Sequence, residues 1–336
     1  MNKIKSIISD EFNITLTVTN SCNYRCKYCP PNLQNGSEEP ILVETYINFF
    51  TNLIKDNPQI NDYSERFISI TGGEPSLYKG IEELISFLNE NNFNVTLDSN
   101  GSAPKEVWER LFEKTNNTHL SFHPRYSKFP KFDELIEIGQ RKNAMMSIGL
   151  LMDPEHWDRV LEAVEHFKQY NIPVSYKGVV ARTKSENSVK KGDNLFIGEY
   201  SGLYTEEQLK YIKENLYQSF DRGLDGYDPN NVSHTTKIYY ENGEVENFQQ
   251  QKLVSQGLNK FEGFRCEAGK SNLSIKWNGT VTGAHCGANF SGDFGNLIKN
   301  KDLKVKLKPI GIICHKSDSC TCGPDMRITK SINKIV

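Results

Sequence analysis

The chain has 336 residues, 40 basic against 42 acidic side chains, a net charge of −2 and 37% apolar content. This suits a globular protein with a real core and argues against a dedicated nucleic-acid surface, which would carry a basic excess. No apolar run reaches the roughly 18 residues of a membrane span and the N-terminus holds no signal-peptide core, so the expectation is a cytoplasmic protein without membrane or nucleic-acid partners.

The first two-thirds alternates strand-like and helix-like segments. Residues 13–20 (NITLTVTN) alternate and are rich in β-branched side chains, as a strand requires. Residues 43–57 carry Tyr46, Phe49, Phe50 and Ile54 at helical spacing. A strand at 66–73, a helix at 80–92 and a strand at 94–101 follow, then a helix opened by Pro104. The pattern continues with a strand at 118–124, a helix at 132–143, a strand at 144–153, a helix at 154–171 and a strand at 172–180. Six strands separated by helices predict parallel βα units, too few for an eight-stranded barrel. The fold class read from this is α/β: a partial, open (βα)6 TIM-like barrel with functional groups at the C-terminal ends of its strands.

From about residue 181 the texture changes. The predicted domains are a barrel over 1–180, a bridging or substrate region over 181–260, and a Cys-rich hairpin-plus-helix extension over 261–336. The middle region holds a helix at 204–220, capped by Thr205, and a hairpin at 237–248 turned at Asn242-Gly243. A further hairpin at 272–286 turns at Asn278-Gly279.

Eight cysteines in a reducing setting point to metal or redox chemistry rather than disulfides. Cys22, Cys26 and Cys29 are spaced Cys-x3-Cys-x2-Cys directly after the 13–20 strand. Three thiolates on a short loop can bind three irons of a cubane cluster and leave the fourth iron open, as metal catalysis requires. A structural zinc site would want a fourth ligand nearby; none lies in the loop, and His119 is the nearest histidine in sequence.

This spacing, with Tyr28 before the last cysteine, resembles the signature loop of the radical S-adenosylmethionine (SAM) superfamily. The resemblance implies a 4Fe–4S cluster on these cysteines, with SAM chelating its open iron. Gly72, Gly73, Glu74 and Pro75 end the next strand, where the family carries a GGEP-type motif that contacts the SAM amino group. Ser99 and Asn100 end the 94–101 strand, where the family supplies polar contacts to SAM; a capped turn is the ordinary alternative. Ser121 and His123 point to one face of the 118–124 strand, Ser121 as a cofactor contact and His123 as a catalytic candidate. Lys177, in the 172–180 strand, is a candidate substrate contact at the barrel mouth.

Cys266, Cys286, Cys314, Cys320 and Cys322 form a second group, one more than a four-thiolate site needs. A structural zinc site is the competing reading. The stretch from Cys266 to Cys286 also resembles the twitch or SPASM extension of radical SAM enzymes, with a longer gap between Gly279 and Cys286 and fewer cysteines than the full SPASM set. This resemblance implies one auxiliary 4Fe–4S cluster.

The implied mechanism is one-electron reduction of SAM, driven by a flavodoxin- or ferredoxin-type donor. It yields a 5′-deoxyadenosyl radical that abstracts hydrogen from substrate. Only 21 residues precede Cys22, too few for a peptide leader-binding domain. The expected substrate is therefore a small biosynthetic metabolite such as a carbohydrate, with peptide modification as the alternative. An iron–sulfur electron carrier or a zinc-stabilised binding module are readings from other classes.

Overall fold

The computed structural model describes residues 3–29, 31–179, 204–216, 236–248, 253, 257–286, 293–317, 320 and 323–332, apart from the side chains of 213, 215, 216, 323 and 324. In chain order its principal elements are β1 (Ile4–Ile8), β2 (Glu11–Thr19), α1 (Val43–Asp56), β3 (Glu65–Gly72), α2 (Ile81–Glu90), β4 (Asn94–Ser99) and α3 (Lys105–Lys114). They continue with β5 (Asn117–Phe122), α4 (Phe129–Arg141), β6 (Met146–Met152), α5 (Trp157–Phe167), β7 (Val174–Gly178), α6 (Glu206–Leu216), β8 (Lys237–Tyr240) and β9 (Val245–Asn247). The last part holds β10 (Phe264–Cys266), β11 (Asn272–Ile275), β12 (Thr280–Thr282), β13 (Asp293–Asn296), β14 (Ile312–Ile313), α7 (Gly323–Arg327) and β15 (Lys330–Ile332).

The larger sheet has nine strands in the order β13-β12-β11-β2-β3-β4-β5-β6-β7. Neighbours from β2 to β7 are parallel, and helices connect β2 through β7 in sequence. Parallel neighbours need such crossovers, so the βα alternation in the sequence translates directly into this half of the molecule. All the strand C-termini then lie along one rim, and the Cys22–Cys29 loop leaves from that rim at the end of β2.

Strand parity sorts the core. In β4, Val95 and Leu97 are fully buried while Thr96 and Asp98 keep some surface. The apolar faces of the strands meet Phe49, Phe50 and Leu53 of α1 and Trp108 of α3, all fully buried. Phe122, at the end of β5, packs edge-on against Phe132 and Phe167, pinning α4 and α5 to the strand. Truncating such a residue costs about 3–5 kcal/mol. β2 is buried along its whole length: β3 and β11 flank its two edges, and Phe12, Ile14, Leu16 and Val18 lie in the core.

The sheet does not end at β2. β11 adds in parallel, with Thr15 opposite Ser274, and the β11–β12 hairpin extends the sheet toward β13. The second sheet has the order β14-β10-β15-β1-β8-β9. β1 was not anticipated: its partners β8 and β15 come from the far end of the chain, and a short run with a bulge leaves little local signal. The helix expected over 154–171 divides. Asp153 caps a short 3-10 turn at Pro154–His156, accepting from the Glu155 amide, before α5 begins. The helix expected from 132 opens earlier, at Phe129, because Pro130 suits a first turn. Buried Asn57 staples the tail to α1: its amide donates to the carbonyls of Leu53 and Val305, and its oxygen accepts from the Leu307 amide.

Candidate active site

The three cysteines of the first loop are held by neighbours from three strand ends. The Cys22 sulfur accepts from the Tyr24 amide at 3.4 Å and faces the Asn100 side-chain amide at 3.7 Å. Asn100 also donates to Asn23 Oδ1 at 3.0 Å, so the end of β4 grips the loop at its start. Gln34 donates to the carbonyls of both Cys26 and Cys29, each at 3.3 Å. His123 stands beyond β5 with Nδ1 2.9 Å from the Tyr28 hydroxyl and 3.4 Å from the Cys26 sulfur. Its ring lies parallel to Tyr28 and edge-on to Tyr24, which stacks on Tyr126. Burial pushes the Cys22 thiol up, and a bond with Cys29, followed by burial, pushes Cys26 up.

His123 was foreseen as a catalytic candidate, but its place beside Cys26 was not. His119 is nearer in sequence; the fold brings His123 nearer in space. The histidine is already engaged by Tyr28. Among the described residues, no three His, Cys, Asp or Glu side chains gather closely enough to hold a single metal ion. The donor set is thiol-rich and lacks a fourth cysteine, and it fits an iron–sulfur cubane, which is wider than one ion.

The Gly-Gly-Glu-Pro motif is built around packing. A Cβ on Gly73 would lie 2.1 Å from the Ser21 carbonyl oxygen, and one on Gly72, at φ +138°, 2.5 Å from the Thr19 carbonyl oxygen. The amides of Gly73 and Glu74 donate to those same two carbonyls, each at 2.8 Å. Only glycines let the end of β3 lie this close to the root of the cysteine loop. Glu74 is 1% exposed and turned inward. It accepts from the Ser76 amide and hydroxyl, from the Ser99 hydroxyl and from the Asn100 amide at 2.7 Å. Burial raises its carboxyl, and these donors only partly oppose the rise. Pro75 is buried and opens the short turn that follows.

Deeper along the strands the side chains left over from the apolar core are polar. Asp98 and His119 are register partners, and His119 Nδ1 bonds the Ser147 hydroxyl at 2.7 Å. Half-buried Ser121 shares the His119 face and sits opposite Gly149. Gly149 leaves room for two side chains: a Cβ there would lie 2.5 Å from His119 Nε2 and 3.0 Å from Lys177 Cε. The charged neighbour of Lys177 is Asp98, and the structure brings this lysine beside His119 over Gly149. Burial lowers Lys177 and His119 and raises Asp98. Asp98 and His119 were missed, although their spacing of two from Asn100 and Ser121 is the period-2 signal that would have found them.

The C-terminal cysteines come from separate elements, and no three of the described ones gather closely enough to hold a single metal ion. Cys266 ends β10 and is buried. The amides of His285 and Cys286 donate to the Asp325 carboxylate at 2.9 and 3.0 Å. Cys314 pairs backbone with Phe264, and Cys320 exchanges two bonds with Asn259. The thiols interact electrostatically: Cys286 with Cys266 and Cys314, and Cys320 with Cys266. Burial pushes Cys320 up to about 12 and raises Cys266. Cys322 lies outside the described residues.

A largely parallel α/β sheet and a three-cysteine loop at its rim define a candidate iron–sulfur enzyme. Among the described residues no helix is long and apolar enough to cross a membrane. The model of the radical SAM superfamily matches residues 16–191, and the chain belongs to that superfamily. It is an enzyme, and the family implies a 4Fe–4S cluster and SAM. A GTP 3′,8-cyclase from Helicobacter pylori strain HPAG1 is 27% identical over 249 residues, covering 63% of this chain and 74% of the cyclase. One from Staphylococcus aureus strain MRSA252 is 20% identical over 313 residues, covering 89% and 86%. Among solved structures, the fold is similar to Streptococcus suis SuiB (TM-score 0.53, 15% identity, 89% of this chain and 66% of that one). It is also similar to anSMEcpe with bound AdoMet (TM-score 0.54, 15% identity, 87% and 82%). The chain thus spans just under two thirds of the length of SuiB, and none of these names mentions a carbohydrate.

Proposed function

We propose that Cys22, Cys26 and Cys29 hold the SAM-binding 4Fe–4S cluster at the rim of an open (βα)6 barrel, and that the chain generates a substrate radical there. When bound, the cluster and SAM supply one-electron sulfonium cleavage and a 5′-deoxyadenosyl radical. The observation that carries the reading is the three-thiol loop gripped by Asn100, Gln34 and His123 without a fourth cysteine. Tyr28 and His123 fix Cys26, while Glu74 ties Ser99 and Asn100 to the loop so that their polar groups, with Ser121, present to SAM. The backbone of Gly72 and Gly73, drawn tight against Thr19 and Ser21, sets the height of that floor. Lys177, with Asp98 and His119, offers substrate contacts deeper on the concave face.

On this reading residues 1–180 carry the SAM chemistry, 181–260 the substrate region and 261–336 an auxiliary 4Fe–4S cluster in a twitch-like arrangement. Cys266, Cys286, Cys314 and Cys320 are its described ligands, with Cys322 as the fifth candidate. A flavodoxin- or ferredoxin-type donor supplies the electron. The substrate is a small biosynthetic metabolite. The cyclase relatives act, by their names, on GTP, so nucleotides head the screen, followed by carbohydrates and peptides.

The test is anaerobic. Reconstituted enzyme is examined by EPR with and without SAM, then incubated with deuterated candidates from each class. A SAM-dependent change in the cluster signal and deuterium in 5′-deoxyadenosine from a small molecule support the reading. Label transfer from a peptide alone would overturn the substrate class, and a signal blind to SAM would overturn the site.

A further inference from the structure

A basic side chain is buried among the C-terminal thiols. β10 and β15 run antiparallel with Cys266 directly opposite Lys330, so both side chains leave the same face of the sheet. Lys330 is 2% exposed. Its amine donates to the carbonyls of Asp325, Met326 (3.2 Å) and Ile328 (3.0 Å), around the end of α7. Only the protonated amine has three donors, and all three are committed. The nitrogen also lies 5.0 Å from the centre of the Phe261 ring, a further preference for a cation.

No carboxylate lies within 4.0 Å of this ammonium among the described residues. The Asp325 carboxylate accepts from the amides of His285 and Cys286, and its charge bears on Cys266, Cys286 and Cys320 in the sense opposite to that of Lys330. A buried charge with no carboxylate in contact is costly, and neutral carbonyls satisfy its hydrogen bonds without cancelling its charge. Cys266 and Cys320 lie within electrostatic reach of both Lys330 and Asp325, and on each thiol the lysine is the stronger of the two.

We propose that Lys330 is the fixed counter-charge of an anionic, thiolate-ligated iron–sulfur centre on Cys266, Cys286, Cys314 and Cys320. The proposal rests on the auxiliary-cluster reading above and adds a function to a residue outside the ligand set. Reduction adds negative charge to the centre, so a fixed cation beside it stabilises the reduced form and raises the midpoint potential. Lys330 is a positioning residue: it touches no substrate and acts on the centre through its charge.

The experiment is an EPR-monitored redox titration of the full chain after anaerobic loading, with iron and sulfide counted in parallel. In Lys330→Met and Lys330→Gln the second cluster shifts to lower potential, while the cluster on Cys22, Cys26 and Cys29 keeps its own. Lys330→Arg, which retains the charge, moves the second potential back toward wild type. A merely structural role would not sort the variants by charge. Should Lys330→Met fail to fold, Lys330→Gln, which still offers two donors to the carbonyls, carries the measurement. An unmoved second potential in protein that holds both clusters overturns the role of Lys330 alone. Wild-type protein with iron for one cluster only overturns the auxiliary-cluster reading, and the proposal with it.

Discussion

The two cysteine groups contrast in how they are assembled. The first is one loop at the end of β2, where eight consecutive positions supply three thiols and the neighbouring strand ends only steady them. The second draws Cys266, Cys286, Cys314 and Cys320 from strand ends and connections spread along the C-terminal third of the chain. Their electrostatics differ too. At the first, exposed Arg25 spends its guanidinium on the carbonyls of Cys22 and Tyr24, where water screens it. At the second, Lys330 is buried, with its amine bonded to three carbonyls. A local loop can be exchanged and rebuilt in place, whereas a site made from distant segments exists only when both sheets are formed.

Substitutions should separate the two groups. The largest effect is expected from Gly73→Ala, which removes no thiol. Its Cβ has no space against the Ser21 carbonyl, so the loop must move, and the SAM-site EPR signal should fall to background while the second remains. Glu74→Ala should follow. It strands buried donors on Ser76, Ser99 and Asn100, costing about 3 kcal/mol in urea unfolding, with Glu74→Gln recovering part of it. Asn57→Ala should cost about 2 kcal/mol and act on the other side of the comparison, loosening the 305–307 segment and lowering iron retention at the C-terminal group first.

The smallest expected effect is on pH. Burial raises Cys22 and Cys266 in the metal-free protein, so both are thiols at neutral pH and must release protons to bind iron. Iron uptake should therefore rise with pH, with loading at about pH 8.5 more complete than at about pH 6.5. Uptake that is flat or falls with pH would contradict the buried-thiol account of both groups.

Legibility followed the same division. Residues 13–180 read well because each βα unit is written in local periodicity and the Cys22–Cys29 spacing needs no fold to be seen. The inward turn of Glu74 was not legible, since a Gly-Gly-Glu-Pro string gives no hint that Ser99 and Asn100 will satisfy its carboxylate. Nor was the Cys26–His123–Tyr28 contact, which joins residues 97 positions apart. In the tail, the hairpin at Asn278-Gly279 was evident from its turn. Its parallel pairing with β2 was not, because the partner strand lies more than 250 residues upstream. Lys330 looked like any basic residue near a C-terminus until β15 set it opposite Cys266.

The central claim is that the first loop carries a cluster with an open iron that cleaves SAM. Its most direct test is 5′-deoxyadenosine formation, measured by mass spectrometry after anaerobic reconstitution with dithionite and SAM, in wild type and Cys26→Ala. The account predicts product from the wild type and none above background from the variant. Equal product from both, or none from a wild-type protein with its clusters intact, would contradict it.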